Sequence, residues 1–455
     1  MSRFTIIFDA LVRRGDAVIG KRRTYLGLAG LVAACMFAQP SFAVIVGTCK
    51  SGVQFTTIQA AVLAAPQGGT VSICPGTYAE QVTITRSVSL VGLTIGTSDQ
   101  IIIASPSGGV VQNTTDLYTG GGAVGSGQGI AAQILITPPS GKPAPIVNLS
   151  NLIVDGTNNQ ITGCAPDLMG IFYENASGTV NHVVARNQAL SPPASLNGCQ
   201  SGQGIYVESG YSVFGTATVT IEYSSVHGYQ KNGITADGAG TTFTITGNDV
   251  VGQGPTSGAA ENGIQVSDGA QGTVYNNRIV DDIWTGGGEA SGIIVYDTGG
   301  LTIQANTVSD TQYGIVVYTD GTVYDPNNSY TDANNNTIKG NQVSATHIND
   351  GIDLCSDGNK ATGNTVVSSD SSGIHIDSTC TDSEGNTTGN GSTVTGNTVI
   401  EACAGVLLGN GTGNTTSPAN AAYDVIDTTY AGDTCPAGVG AAAKRATKPS
   451  PHVMR

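Results

Sequence analysis

Apolar and polar residues alternate in short bursts along this chain, and the bursts recur. Ser291-Gly292-Ile293-Ile294-Val295-Tyr296 is followed by Tyr313-Gly314-Ile315-Val316-Val317-Tyr318, then by Asp350-Gly351-Ile352-Asp353-Leu354 and Ser372-Gly373-Ile374-His375-Ile376. Gly292 to Gly314 and Gly351 to Gly373 each span 22 residues. A short alternating segment at a fixed period predicts a β-solenoid, in which each coil contributes one strand per face. Gly plus an apolar residue recurs at 170, 204, 233, 263, 292, 314, 351, 373 and 405. With period-2 alternation, the residue after each Gly faces inward and the next faces outward. The predicted core column therefore includes Ile171, Ile205, Ile264, Ile293, Ile315, Ile352 and Ile374.

A second strand in each repeat ends in Asn-x-Val or a near variant. The positions are Asn151, Asn181, Asn248, Asn277, Asn306, Asn341, Asn364 and Asn397, with Ser224 standing in once. Stacked Asn amides at a corner hydrogen-bond from coil to coil, so their predicted role is structural. Ten to twelve coils at one strand spacing each predict a rod on the order of 50–60 Å long.

Before the repeats, Thr57 to Ala65 reads as a short amphipathic helix with Thr56 or Thr57 as N-cap; Ile58, Ala61, Val62 and Ala65 share its apolar face. Pro66 to Gly69 ends it, and short strand-like runs follow to Gly92. A helix in this place caps the open sheet edge of a solenoid. The opening block, residues 49–92 with Cys49 and Cys74, resembles the start of exported right-handed parallel β-helix proteins of the pectate-lyase-like superfamily. That resemblance implies an all-β chain wound as a single-stranded right-handed parallel β-helix with a short N-terminal capping α-helix. The expected organisation is a signal peptide at 1–43 and a β-helix domain at 44–440. Within that domain fall the cap at 49–92, a Gly/Pro-rich insertion at 105–145 and regular repeats at 146–409. A disordered tail covers 441–455. One strand is expected in the insertion, around Gln133 to Ile136; Gly125-Ser126-Gly127-Gln128-Gly129 lacks the strand-then-helix context of a phosphate loop.

Export rests on three features. Lys21-Arg22-Arg23 precedes an apolar run from Tyr25 to Phe37, and Ser41-Phe42-Ala43 offers a cleavage site. A twin-arginine reading of Arg22-Arg23 and a lipoprotein reading ending at Cys35 are alternatives. No later stretch is apolar enough to cross a membrane. Beyond the signal, eight cysteines remain in four local pairs: Cys49–Cys74, Cys164–Cys199, Cys355–Cys380 and Cys403–Cys435. In a secreted or periplasmic protein such pairs read as disulfides.

Composition sharpens the picture. The chain has 64 Gly, 5% aromatic and 11% charged residues. Residues 1–43 hold six of the 18 Lys/Arg and two of the 33 Asp/Glu, so the mature chain carries 12 basic and 31 acidic residues, a net −19. That balance excludes nucleic acid and anionic membrane as partners. It also disfavours polyuronates unless a cation bridges the like charges.

The outward columns carry the candidate chemistry. Two residues after the Gly come Phe172, Tyr206, Thr235, Gln265, Ile294, Val316, Asp353, His375 and Leu407; four after it come Glu174, Glu208, Asp237, Ser267, Tyr296, Tyr318, Cys355, Asp377 and Gly409. Carboxylates mixed with aromatic rings suit sugars, with Tyr206, Glu208, Tyr296 and Tyr318 as substrate-binding candidates. Asp350, Asp353, His375 and Asp377 form the densest group and are the catalytic candidates. Asp353 and Asp377 would stand roughly 8 Å apart at the backbone, and inverting glycosidases hold their carboxyls about 6.5–9.5 Å apart. Asn349-Asp350-Gly351 is similar to part of the Asn-Thr-Asp-Gly segment of polygalacturonases, which implies a carboxylate role for Asp350. Ile348 replaces the Asn of that segment, and Ser371-Ser372 stands where that family has an Asp pair. Glu174, Glu208 and Asp237 fall in one column about 5 Å apart from coil to coil, so any metal expected here is calcium, on those three; no other cofactor is expected. Two functions follow: a monomeric exported protein that binds a polysaccharide or cell-surface glycan or acts as a rigid scaffold, or a glycoside hydrolase or lyase using the carboxylates of one sheet face.

Overall fold

The computed structural model describes residues 43–94, 96, 100–117, 128–191, 196–209, 216–287, 290–321 and 332–417, with the strands Ala421–Tyr423 and Thr429–Ala431. The expected export segment up to residue 42, Cys435 and the tail at 441–455 lie outside these residues. Among the described residues, the chain winds through three sheets of 14, 12 and 13 strands, here called sheets I, II and III. A single coil shows the path: Ala217–Glu222 in sheet I, Ser225–His227 in sheet II, Asn232–Asp237 in sheet III, then Thr241–Thr246 stacked in parallel on Ala217–Glu222. The ladders are parallel except where Thr114–Thr115 pairs antiparallel with Gly129–Ile130 and at the isolated bridge Thr381–Thr387. The architecture is a right-handed parallel β-helix, and among the described residues its one α-helix lies near the N-terminus.

The helix is Ile58–Ala64; Thr57 caps it, its side chain accepting from Ala60 N at 3.3 Å. Glu80 also accepts from Ile58 N and Gln59 N, at 2.7 and 3.0 Å. The buried Ile58, Ala61 and Val62 join the same core as Val44, Val46 and Val71 of the first coils.

The core column runs in register through Ile171, Ile205, Ile234, Ile264, Ile293, Ile315, Ile352 and Ile374, each with no exposed surface. Each such side chain contributes roughly 1.5–3 kcal/mol by leaving water. The glycine before each of them is explained by space, not by a turn. A Cβ on Gly204, Gly292, Gly314, Gly351 or Gly373 would lie 2.3–2.4 Å from a Val Cγ1 of a sheet II strand, and on Gly233 2.5 Å from one. It would also meet the carbonyl of the equivalent Gly one coil on, at 2.6 Å for Gly204 and 2.9 Å for Gly292.

The asparagine ladder occupies the corner between sheets I and II. Asn248, Asn277, Asn306, Asn341, Asn364 and Asn397 are buried. Asn306 shows the pattern: its N and Nδ2 donate to Asn341 Oδ1 at 2.9 and 3.0 Å, its Nδ2 also to Val274 O at 3.0 Å, and its Oδ1 accepts from Asn277. Ser224 does stand in, accepting from Val183 N on its hydroxyl and donating its own N–H to Asn248 Oδ1. Asn151 and Asn181 do not belong to the ladder; Val183 and Leu152 are the buried residues one coil and two coils before Ser224, and Asn151 is an exposed residue at φ 56°. A second ladder, unnoticed in the sequence, links Leu301 N, Asn336, Asn359, Ser392 and Asn414 at the entrance to sheet I.

Disulfides join Cys49–Cys74, Cys164–Cys199 and Cys355–Cys380 as expected. Such bonds belong to an oxidising compartment. No helix among the described residues is long and apolar enough to cross a membrane.

One polar cluster sits between sheets II and III with no exposure at all. Tyr229 donates to Asp282 Oδ1 at 2.6 Å, and Glu261 Oε1 accepts from Gln253 N at 2.9 Å. Glu261 Oε2 and Asp282 Oδ2 have no hydrogen-bond partner among the described residues. Burial, then the nearby Asp282, push the Glu261 carboxyl up to about 10.

Two outcomes are expected. Replacing Asn306 with Ala strands the neighbouring amides and should lower stability by about 1–3 kcal/mol, read as a lower denaturant midpoint. Glu261 has a folded pKa above its unfolded value of 4.5, so its contribution is full below pH 4.5 and is lost as pH rises towards about 10. Glu261→Gln should therefore flatten the fall in melting temperature between pH 5 and 9; an unchanged slope would place the titration elsewhere.

Candidate functional site

Alternate residues of the sheet III strands point away from the core, and their columns form the floor of a groove of about 580 Å³. Tyr206, Asp237, Gln265, Ile294, Tyr296, Val316, Tyr318, Asp353 and Asp377 line it, with Lys231, Asn232 and Asn262 along one edge. The parallel register places Tyr296 directly under Tyr318, and their rings stack with centroids 5.7 Å apart and planes at 17°. Tyr296 donates to the Asp320 carboxylate. Tyr206 lies edge-on to Phe172 at 5.4 Å and donates to Asp237 Oδ2 at 3.2 Å. Lys231 donates to Ala260 O at 2.7 Å, and burial pulls its ammonium down to about 8.

The outward column is not open to solvent along its whole length, contrary to the sequence expectation. Phe172, Glu174 and Glu208 are buried. The stretch expected as a loose insertion covers them: Thr114 donates to both oxygens of Glu174 at 3.0 and 3.1 Å, and Leu117 N reaches Glu208 Oε2 at 3.5 Å. Burial raises the Glu174 carboxyl and, with Asp116 beside it, raises Glu208 well above the usual range. Glu208, expected among the sugar-binding residues, is therefore beneath the cover and off the groove wall, whereas Tyr206, Tyr296 and Tyr318 are on it.

Glu174, Glu208 and Asp237 are direct register neighbours, as their spacing implied. Asp237 is already engaged, accepting from Ser267 Oγ at 2.7 Å and from Tyr206. Among the described residues, the ionisable or sulfur groups whose ligand atoms lie within 4.8 Å of one another are Asp350–Asp353–His375 and Cys355–Asp377–Cys380. In the second group the two sulfurs form a disulfide and offer no thiolate.

The first group is a neutralised charge set. His375 is the register partner of Asp353, with Nδ1 3.3 Å from Asp350 Oδ2 and 4.0 Å from Asp353 Oδ1. Burial disfavours the imidazolium, but the hydrogen bond to Asp350 and the charges of Asp353, Asp350 and Asp377 outweigh it and raise His375 to about 9. Burial alone would raise Asp350; His375 and Ser372 reverse that and hold it below the usual carboxylate range. Ser372 donates both N–H and hydroxyl to Asp350 Oδ1, the N–H at 2.7 Å. Asp353 is the residual acid: burial first, then Asp350 and Asp377, raise it well above the usual range despite His375. Of the four catalytic candidates, Asp353 and Asp377 reach the groove wall, while Asp350 and His375 lie outside its lining. Asp377 accepts from Thr379 N at 2.8 Å and Thr379 Oγ1 at 2.9 Å.

Residues 203–388 match the family model described as a right handed beta helix region. No curated protein matches the chain. Among solved structures, the Dettilon tailspike protein gp208 is similar at TM-score 0.51 and 16% identity, over 82% of this chain and 64% of that one. The catalytic unit of a GH87 alpha-1,3-glucanase from Streptomyces thermodiastaticus strain HF3-3 gives 0.45 and 15%, over 82% and 64%. ORF18 of Geobacillus virus E2 gives 0.43 and 15%, over 82% and 60%. This chain thus spans less than two thirds of the length of each. Three parallel sheets wound from one repeating unit, with residues 203–388 matching the right handed beta helix model, give this chain the fold of a right-handed parallel β-helix.

Proposed function

We propose that this is an exported protein that binds a glycan chain in the sheet III groove and works as a monomer. The observation that carries the reading is the stacked Tyr296–Tyr318 pair in a groove that carboxylates and amides also line. Rings supply apolar surface for the C–H faces of a sugar, and the flanking oxygens and amides supply hydrogen bonds to its hydroxyls. The rings sit on strands fixed by the core column, so little ordering is needed on binding. Disulfides in three places support an extracellular or periplasmic setting.

A second reading, hydrolysis of the glycan, is favoured by one observation: Asp353 on the groove wall is buried, and burial raises its proton affinity, the direction a general acid needs. Asp377, on the same wall, is then the second carboxyl, with Asp350 and His375 setting the charge around Asp353.

A panel of neutral and charged oligosaccharides, scored for binding and for product release, tests both readings. Tyr318→Ala should weaken binding about tenfold, the equivalent of roughly 1.4 kcal/mol, with the melting temperature little changed. Binding unaffected by Tyr318→Ala would remove the groove as the site. Product release abolished in Asp353→Asn would establish the hydrolytic reading; no product from any oligosaccharide would exclude it for that panel.

A further inference from the structure

The outward column of sheet III continues past the groove in both directions. Phe172 precedes Tyr206 in register, and His375 and Leu407 follow Asp353. These three outer residues are buried, so the open floor stops short of each of them. A wall stands at each end.

At the N-terminal end the wall is the segment 112–117. Thr114 donates to Glu174, Leu117 N reaches Glu208, and Asp116 lines the groove. At the C-terminal end it is the segment 377–380. Cys355, the register partner of Tyr318, is bonded to Cys380, and Thr379 and Cys380 line the groove. This wall is also tied beyond the disulfide: Thr388 N donates to Cys380 O at 3.2 Å, and Ser383 N to Asp332 Oδ1 at 2.9 Å.

Between the walls the floor faces solvent. Tyr206, Gln265, Ile294 and Tyr296 are half-buried, and Tyr318 is 37% exposed. From the Tyr206 strand to the Tyr318 strand the floor crosses four strand spacings, about 19 Å. The volume of about 580 Å³ is that of a site enclosing one small ligand and not of a long channel.

We infer that the groove takes a short oligosaccharide or the end of a chain, about four units at roughly one pyranose per strand spacing, and excludes the interior of a long polysaccharide. The inference rests on the glycan-binding reading of the groove. An internal segment would have to bend over one wall on entry and over the other on exit, losing floor contacts at both. A chain end meets one wall only, with the rest of the chain rising into solvent, and a free oligosaccharide meets neither. Hydrogen bonds and a disulfide hold the walls to the sheet, so neither swings aside to lengthen the floor.

The test uses the whole mature protein and linear series of two to eight units from a glucan, a mannan, a chitin and a galacturonan. In a series that binds, the tetramer should bind about tenfold tighter than the dimer, and the octamer within about twofold of the tetramer. The soluble parent polymer, cut to half its mean length, should compete roughly twice as well per gram, because its chain ends have doubled. Affinity that keeps climbing to the octamer, or competition per gram unchanged by cutting, overturns the closed groove while leaving it a glycan site. No binding of any length in any series overturns the glycan reading, and this inference with it. Thr379 is exposed on the C-terminal wall, so Thr379→Trp should shorten the floor, weakening the tetramer about tenfold with the dimer little changed. An equal effect on both lengths, or none, overturns the placement of that wall. Should the variant fail to fold, as judged by its melting curve, the length series with the unaltered protein decides alone.

Discussion

The structure depends on how closely each coil can sit on the next at the corner between sheets II and III. There a glycine leaves just the volume that a valine of the neighbouring strand fills: a Cβ at Gly292, Gly314, Gly351 or Gly373 would stand 2.3 Å from it. The isoleucine that follows each glycine then points into the core, and the asparagine ladder on the opposite corner ties the same coils through buried amides. Slipping one strand by a residue would turn its isoleucine outward and unmake the amide pairs together. Register is therefore over-determined.

That rigidity is what delivers a site. Because every coil repeats the same inward and outward positions, residues far apart in sequence stand in columns on sheet III. Tyr296 stacks on Tyr318, and Asp353 meets His375, without any loop having to position them. The segment 112–117 closes the N-terminal end by folding over Glu174 and Glu208, and this cover decides where the groove begins. Carboxylates with raised proton affinity occur both on the groove wall, at Asp353, and away from it, at Glu261 and Asp282. Buried carboxyls with raised proton affinity are thus a general feature of this acidic chain. Asp353 and Asp268 combine that state with a place in the groove lining.

Much of this was legible in the sequence because period-2 alternation and a fixed coil length are local signals. They placed the isoleucine column, the stacked tyrosines, the adjoining Glu174, Glu208 and Asp237, and three disulfide pairs. The capping helix was readable from Thr57 and the spacing of Ile58, Ala61 and Val62. What escaped was non-local. The burial of Glu208 depends on a segment about ninety residues earlier in the chain, which no periodicity predicts. Asn181 satisfied the Asn-x-Val pattern and Asn151 a near variant of it, yet both fall outside the ladder, which distinguishes register from composition. The second ladder through Asn336, Asn359 and Asn414 was hidden because asparagine is so frequent here. Ser372, read as the loss of a catalytic acid, turned out to hold Asp350 through two hydrogen bonds.

The most direct measurement is a crystal structure of the mature protein soaked with an oligosaccharide that it binds in solution. Sugar density is expected along sheet III between Tyr206 and Tyr318, with rings against the tyrosines and a polar group within hydrogen-bond distance of Asp353. Density confined to another face of the solenoid would contradict it.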